Sequence, residues 1–404
     1  AHCRDCYRCL RVCPVKAIRM QDGQAYVDPK RCIACGTCIR ECPQGAKQYR
    51  NDIDRAAGPL SEGKRMAASV APSFAAVYSD WERKRLPGAL RRLGFSFIGE
   101  TAVGAYHCAV ETERYIAGNG GGRHILTACP AVVGLVEKYD HPNARHLVPI
   151  VSPMIAHARH LRKRLGADTG IVFIGPCVAK KLEADRPEYA GDVEAVLTFA
   201  ELMEWLEREG ILLSECEEST FDEIPQGHSR LFPLTGGSIR TSLLSTDLLD
   251  PDIRSVTGIE DIRDSLLAMK ETRETIIVEP LFCLQGCVNG PALSADSPIH
   301  ERRQRILGYA QPEGRPAGQT TGQHDGGTLV DSRYDVFRKQ FVPVDPGHKV
   351  SFPEEEIERI LRMTGKYTRD DELNCGACGY SSCREKAAAV LNGMAEPEMC
   401  IPYM

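Results

Sequence analysis

"GIVFIGPCVAKKLE" (residues 170–183) decides the fold: apolar and β-branched residues run up to Gly175, Pro176 and Cys177, and a segment of helical spacing follows. A continuous apolar run is buried on both faces, the mark of a parallel strand covered by helices. Ligands of such sheets sit at the strands' carboxyl ends, where Cys177 stands. "MAASVAP" (66–72), "HILTACP" (124–130) and "HLVPIVSP" (146–153) repeat the pattern, so residues 60–310 read as α/β.

The 404 residues are 43% hydrophobic, enough for a sizeable core and two to four domains. A formal net charge of −5 gives no basic field for nucleic acid or an anionic membrane, and neither is expected as a partner. No run reaches the ~18–20 apolar residues of a membrane span. The opening "AHCRDCYRCL" lacks a signal peptide's apolar region, and starting on Ala1 suggests a processed N-terminus. Eighteen cysteines, clustered at gaps of two and three residues, read as metal ligands in a reducing cytoplasm.

One internal repeat is clear. "CRDCYRCLRVCP" at 3–14 returns as "CIACGTCIRECP" at 32–43, giving Cys3, Cys6, Cys9 and Cys13, then Cys32, Cys35, Cys38 and Cys42, in C-x2-C-x2-C-x3-C-P spacing. Three close thiolates cap one [4Fe–4S] cube while the fourth, beyond a helical turn closed by proline, reaches the other. Cys42 is therefore expected to complete the first cluster and Cys13 the second. A pair of zinc knuckles is the alternative, although zinc seldom uses this doubled, proline-closed spacing.

At the other end "NCGACGYSSC" supplies Cys375, Cys378 and Cys383, and "EMCIPYM" adds Cys400. Glycines beside the first two let backbone wrap closely on a cluster. This segment resembles the small four-cysteine [4Fe–4S] domain of bacterial electron-transfer and corrinoid proteins; structural zinc is the alternative. "FPEEEIERILRMTG" and "SSCREKAAAVLNG" read as its two helices.

In the middle, "TACPA" carries Cys129, "GPCVAKKLE" Cys177, and "PLFCLQGCVNGP" Cys283 and Cys287. With Lys180 and Glu183 at fixed offsets from Cys177, these segments resemble the three signatures of the [FeFe] hydrogenase catalytic domain. "VAPSFAA" (70–76) and "LTGGSIR" (234–240) extend the likeness over about residues 64–310.

The resemblance implies a cofactor and a pocket. Cys129, Cys177, Cys283 and Cys287 would hold a [4Fe–4S] cube, Cys287 bridging to a diiron subcluster with CO, cyanide and an azadithiolate, together an H-cluster. Lys180 would donate to one cyanide; the adjacent Lys181 reads as a solvated surface lysine. Pro72 and Ser73 match a loop packing on the diiron unit, Ser73 as donor to the second cyanide, and Ser152 would line the same pocket. Active members of the family have a proton-carrying cysteine where Ala128 stands, and alanine cannot transfer a proton, a loss of ~10²–10⁴-fold. Leu281 and Gly175 replace methionines near the diiron unit, and Pro291 interrupts a glycine run. These departures, with the C-terminal cluster, resemble the subgroup regarded as sensory.

Sixteen cysteines thus form four sets, leaving Cys108 as a small buried side chain and Cys216 as an exposed thiol in an acidic run. Glu111 and Glu113 lie where a proton path would enter. His107, His124 and His157 show no ligand spacing and read as structural.

The expected organisation is a two-cluster ferredoxin-like α+β domain (1–58), a two-lobed α/β hydrogenase-like domain with parallel or mixed sheets (59–310), a linker or long loop (311–346) and a small helical iron–sulfur domain (347–404). The implied activity is slow H2 turnover by a cytoplasmic hydrogen or redox sensor. Its partners would be H2, protons, a ferredoxin-like electron carrier and a signalling protein such as a kinase or phosphatase. The rival readings are an iron–sulfur assembly or electron-transfer protein without the diiron unit, and an H2-evolving enzyme with another proton route, through Glu111.

Overall fold

A computed structural model of the chain describes residues 3–119, 122–242, 244–247, 249–272, 274–293, 297–311, 335–347 and 351–403. The expected loop at 311–346 lies for the most part outside them. The chain divides into two compact units, one made of residues 1–49 with 343–404, the other of residues 50–342.

In the first unit, β1 (Ile18–Gln21) and β2 (Gln24–Val27) form an antiparallel hairpin pairing Ile18 with Val27. Asp22 and Gly23 close it, both at positive φ, the conformation an Asp-Gly turn requires. Leu10, Ile18 and Met20 share one core with Tyr380, Ala395 and Met399, so the two ends of the sequence fold on each other. Gly379 explains how closely: its φ is +93°, and a Cβ there would lie 2.0 Å from Leu10 Cδ2. The expected C-terminal helices form at Glu354–Met363 and Cys383–Leu391 and pack through Ile357, Ile360, Leu361 and Ala387. Ser382 caps the second by accepting from the Glu385 amide at 3.0 Å.

The second unit carries β3 (Met66–Val70), β4 (Phe97–Glu100), β5 (Arg123–Ile125), β6 (Gly170–Gly175), β7 (Ala195–Thr198), β8 (Ile253–Thr257) and β9 (Ile276–Leu281). They build two wholly parallel sheets, ordered β4-β3-β6-β7 and β5-β9-β8. β3 and β6 are buried at every position, as their largely apolar sequences require, and the one hydroxyl among them, Ser69, is hydrogen-bonded to Thr101 and His157. Helices such as Pro153–Leu165 and Phe199–Arg208 connect and cover the strands. The stretch from Asp335 returns to this core: Phe337 is 1% exposed and its carbonyl accepts from the Val151 amide at 2.9 Å.

The topology places chemistry at the strand ends. β3 runs out into Pro72 and Ser73, β5 into Ala128 and Cys129, β6 into Cys177, and β9 into Cys283. β3 neighbours β6 and β5 neighbours β9, so these loops leave the sheets in adjacent pairs.

Candidate metal centres

The repeat is physical as well as textual. Cys13 Sγ accepts from the Ala17 amide at 3.2 Å, and Cys42 Sγ from the Ala46 amide at 3.3 Å, the same bond one repeat later. Cys3, Cys6, Cys9 and Cys42 line one recess with Lys47. Cys13 instead lies within electrostatic range of Cys35 and Cys38, which also feel Cys32. Each set thus gathers its fourth thiol from the other repeat. Burial pushes Cys35 up to about 11 and Cys38 to about 12, so these thiols become thiolates only with a strong cation to displace the proton.

Cys375, Cys378, Cys383 and Cys400 line a second recess with Lys366, Lys386, Asn374 and Tyr380. Asn374 Oδ1 accepts from the Cys383 amide at 2.8 Å, fixing that loop.

In the unit 50–342 three loops carry the cysteines expected to form a centre. Cys129 precedes the helix Pro130–Tyr139, with proline in its first turn, and Cys177 precedes Ala179–Ala184. Cys287 is held by its amide, which donates to the Pro233 carbonyl at 2.8 Å. That approach is possible because residue 286 is glycine, at φ +88°; a Cβ there would meet the Pro233 oxygen at 2.5 Å. Cys287 feels Cys177, Cys129 and Lys180, and Cys177 feels Cys129 and Lys180. Burial raises both thiols, Cys177 to about 11. Cys283 is partly exposed in the same loop.

Lys180 is 7% exposed; its Nζ donates to Glu183 Oε2 at 2.7 Å, a carboxylate that also accepts from Ser152 Oγ at 3.0 Å. Ser73 Oγ is buried with no hydrogen-bond partner among the described residues. Buried hydroxyls are nearly always bonded, so a loop ending in one suits a further polar acceptor, as the implied diiron group would supply. The donor set therefore fits an anionic iron–sulfur group in the loops after β3, β5, β6 and β9. Pro72 precedes Ser73, and Leu281, 6% exposed, ends β9.

Several expectations change. Lys181 is not solvated: it is 5% exposed, and its Nζ reaches Asp52 Oδ2 at 3.1 Å and Glu201 Oε1 at 2.9 Å. Cys216 is buried, not exposed, with its thiol toward the Leu212 carbonyl at 3.3 Å. Cys108 is buried as expected, bonding the Val151 carbonyl at 3.1 Å, and lines a recess with Ala128, Thr112 and Phe232. Glu111, 9% exposed, pairs with Arg114 at 2.6 Å. Sequence reasoning missed Phe173. A Cβ on Gly175 would lie 2.7 Å from the Phe173 ring and 2.9 Å from Ala71 Cβ, so these two fill the space a larger side chain at 175 would need. The signal was period two: residues 173 and 175 share one face of β6.

His157 is fully buried, bonding Ser69 Oγ through Nδ1 at 2.7 Å and Glu223 through Nε2. Both ring nitrogens are thus engaged within the fold, in keeping with a structural histidine. Among the described residues no helix is long and apolar enough to cross a membrane.

Three known families match the chain. "Iron only hydrogenase large subunit, C-terminal domain" covers residues 64–291, "4Fe-4S dicluster domain" residues 2–46, and a short iron–sulfur family, FeS, residues 371–402. The NADP-reducing hydrogenase subunit HndD of Solidesulfovibrio fructosivorans is 24% identical, covering 70% of this chain and 60% of its own length. Cytosolic iron-sulfur assembly component 3 of Pongo abelii is 25% identical, covering 79% and 87%. The chain spans less than two thirds of the first two hydrogenases it matches. A variant of [FeFe]-hydrogenase HydA1 from Chlamydomonas reinhardtii has the same fold, with TM-score 0.55 at 18% identity over 73% of this chain and 100% of that one. Matched over more than half its length, this iron–sulfur protein belongs to the family of the iron-only hydrogenase large subunit, C-terminal domain.

Proposed function

We propose that the chain holds four [4Fe–4S] cubes and, beside the one at Cys129, Cys177, Cys283 and Cys287, a diiron subcluster of low turnover that binds H2. The other cubes would be held by Cys3, Cys6, Cys9 and Cys42, by Cys13, Cys32, Cys35 and Cys38, and by Cys375, Cys378, Cys383 and Cys400. Ser73 carries the reading: a buried hydroxyl after β3 with no partner among the described residues, with the buried Lys180 after neighbouring β6. The diiron unit, when bound, supplies the hydrogen chemistry itself. The chain's part is to offer Lys180 and Ser73 as donors, to line the pocket with Pro72, Leu281 and Ser152, and to present at Ala128 a side chain that carries no proton. Slow turnover suits a hydrogen or redox sensor, read by a partner such as a kinase or phosphatase and exchanging electrons with a ferredoxin-like carrier.

A second reading, an assembly or electron-transfer protein without the diiron unit, draws support from two observations. The assembly component covers more of this chain than the hydrogenases do. Phe173 and Ala71 fill the space beside Gly175. Chain produced with hydrogenase maturation factors separates the readings. Infrared bands of metal-bound CO and cyanide, with ~18 irons per chain, are expected from the first; no bands and ~16 irons would establish the second. Fewer irons with zinc in proportion would remove a cube from both.

A further inference from the structure

Four lysines are buried among the described residues: Lys180, Lys181, Lys366 and Lys386. The first two have carboxylate partners, Glu183 for one, Asp52 and Glu201 for the other. The last two have none within ion-pair distance among the described residues. Lys366, 8% exposed, donates to Cys400 Sγ at 3.1 Å and to the Thr364 carbonyl at 2.8 Å. Lys386, 4% exposed, donates to the Pro397 carbonyl at 2.7 Å. Both line the recess of Cys375, Cys378, Cys383 and Cys400.

A buried ammonium without a counter-anion is expensive, so a site that buries two is built around negative charge. Among the described residues no carboxylate lines the recess: Glu398 and Asp371 act on Lys386 and Lys366 from beyond ion-pair distance, and Cys400 and Cys378 weigh on Lys386 before Glu398 does, so the negative charge of the recess itself is that of its four cysteines as thiolates and whatever they hold. A cube with four thiolates is a dianion when oxidised and a trianion when reduced, and its potential follows local charge and hydrogen bonds to sulfur. Fixed positive charge favours the more negative state. The Lys366 bond to Cys400 acts directly on a ligand sulfur, and Lys386 adds charge from the helix Cys383–Leu391.

We propose that Lys366 and Lys386 are positioning charges that raise the reduction potential of the C-terminal cube. This rests on the reading of Cys375, Cys378, Cys383 and Cys400 as a [4Fe–4S] site. Adding an electron to the cube converts the oxidised dianion to the trianion, the electron coming from an external low-potential reductant such as dithionite. No bond breaks.

The test is a reductive titration of the full chain followed by electron paramagnetic resonance, with iron and zinc measured on the same samples. Lys366→Met and Lys386→Met should each move the midpoint of one cube, and one only, to more negative potential. At the unaltered protein's midpoint the reduced-to-oxidised ratio of that cube should fall about tenfold per charge removed, a shift of about 59 mV for one electron. Lys366→Arg and Lys386→Arg keep the charge and should keep the midpoint, and they decide the matter if the methionine variants lose the cube. Full iron with unmoved potentials would overturn the proposal, as would arginine variants that shift as far as methionine ones. Zinc bound by Cys375 and its partners would instead overturn the reading of the site.

Discussion

Lys181 Nζ lies 2.9 Å from Glu201 Oε1, with both side chains buried and Asp52, also buried, on the other side of the ammonium at 3.1 Å. Removing the lysine leaves the buried Glu201 carboxylate without its cation, while Asp52 keeps Arg50; breaking a buried pair in this way costs up to about 3–5 kcal/mol. Lys181→Ala should therefore lower the urea midpoint of the unit 50–342 sharply. A change below ~1 kcal/mol would mean that Arg50, 2.6 Å from Asp52, already compensates the charge.

Ser73 predicts the opposite pattern. Its hydroxyl has no partner among the described residues, so Ser73→Ala deletes an uncompensated polar group and should leave stability of the metal-free chain unchanged or raised by up to ~1 kcal/mol. The same variant should lose diiron occupancy in the infrared spectrum. If loading is unaffected, Ser73 plays no part in holding the group.

Gly175 sets a packing limit. Gly175→Met would drive a side chain into the Phe173 ring and Ala71, an overpacking that costs about 1–3 kcal/mol. Pairing it with Phe173→Ala should recover part of the loss, measurable as a coupling energy in a double-mutant cycle. Strict additivity would show that the two side chains do not compete for one space.

His107 supplies a pH dependence. Burial, then the neighbouring His160 and His157, lower its pKa to about 4, and burial with Arg123 and Arg145 does the same for His146. The unfolded value is near 6.5. Above that both states are neutral; as pH falls towards 4 the unfolded chain gains protons that the folded one refuses, so stability drops across this window. His107 stacks on Phe337 at 5.2 Å, so His107→Phe should retain packing while making the unit less acid-sensitive. An identical pH slope in the variant would show that other groups set it.

Ala128 bears on the proposed turnover. Ala128→Cys restores an acid–base group beside Cys108 and Thr112, but without a dedicated chain of acids, since Glu111 is tied to Arg114. The gain in H2 evolution should stay well short of ~10²–10⁴-fold. Fast evolution by the unaltered chain, with a pH profile moved by Glu111→Gln, would favour a different proton route.

The sequence by itself determined whatever rests on local spacing. Apolar runs marked β3 and β6 as buried parallel strands, and "GIVFIGPC" placed Cys177 just past the carboxyl end of β6, because a strand's carboxyl end is set by the same residues that make it a strand. The nearness of Cys42 to Cys3, Cys6 and Cys9, and of Cys13 to Cys35 and Cys38, was equally legible in the repeated, proline-closed spacing. Tertiary structure alone decided the rest. Lys180 and Lys181 are neighbours of identical type, and only the placement of Glu183 against that of Asp52 and Glu201 distinguishes them. Cys216 sits in an acidic run yet is buried, because exposure depends on what packs against a segment and not on its own polarity. The shared core of Leu10 and Tyr380 joins residues far apart in sequence, and no pattern within either end carries information about that contact. Burial, and the pairing of buried charge, are properties of surfaces brought together from distant segments; periodicity records only the face each segment offers.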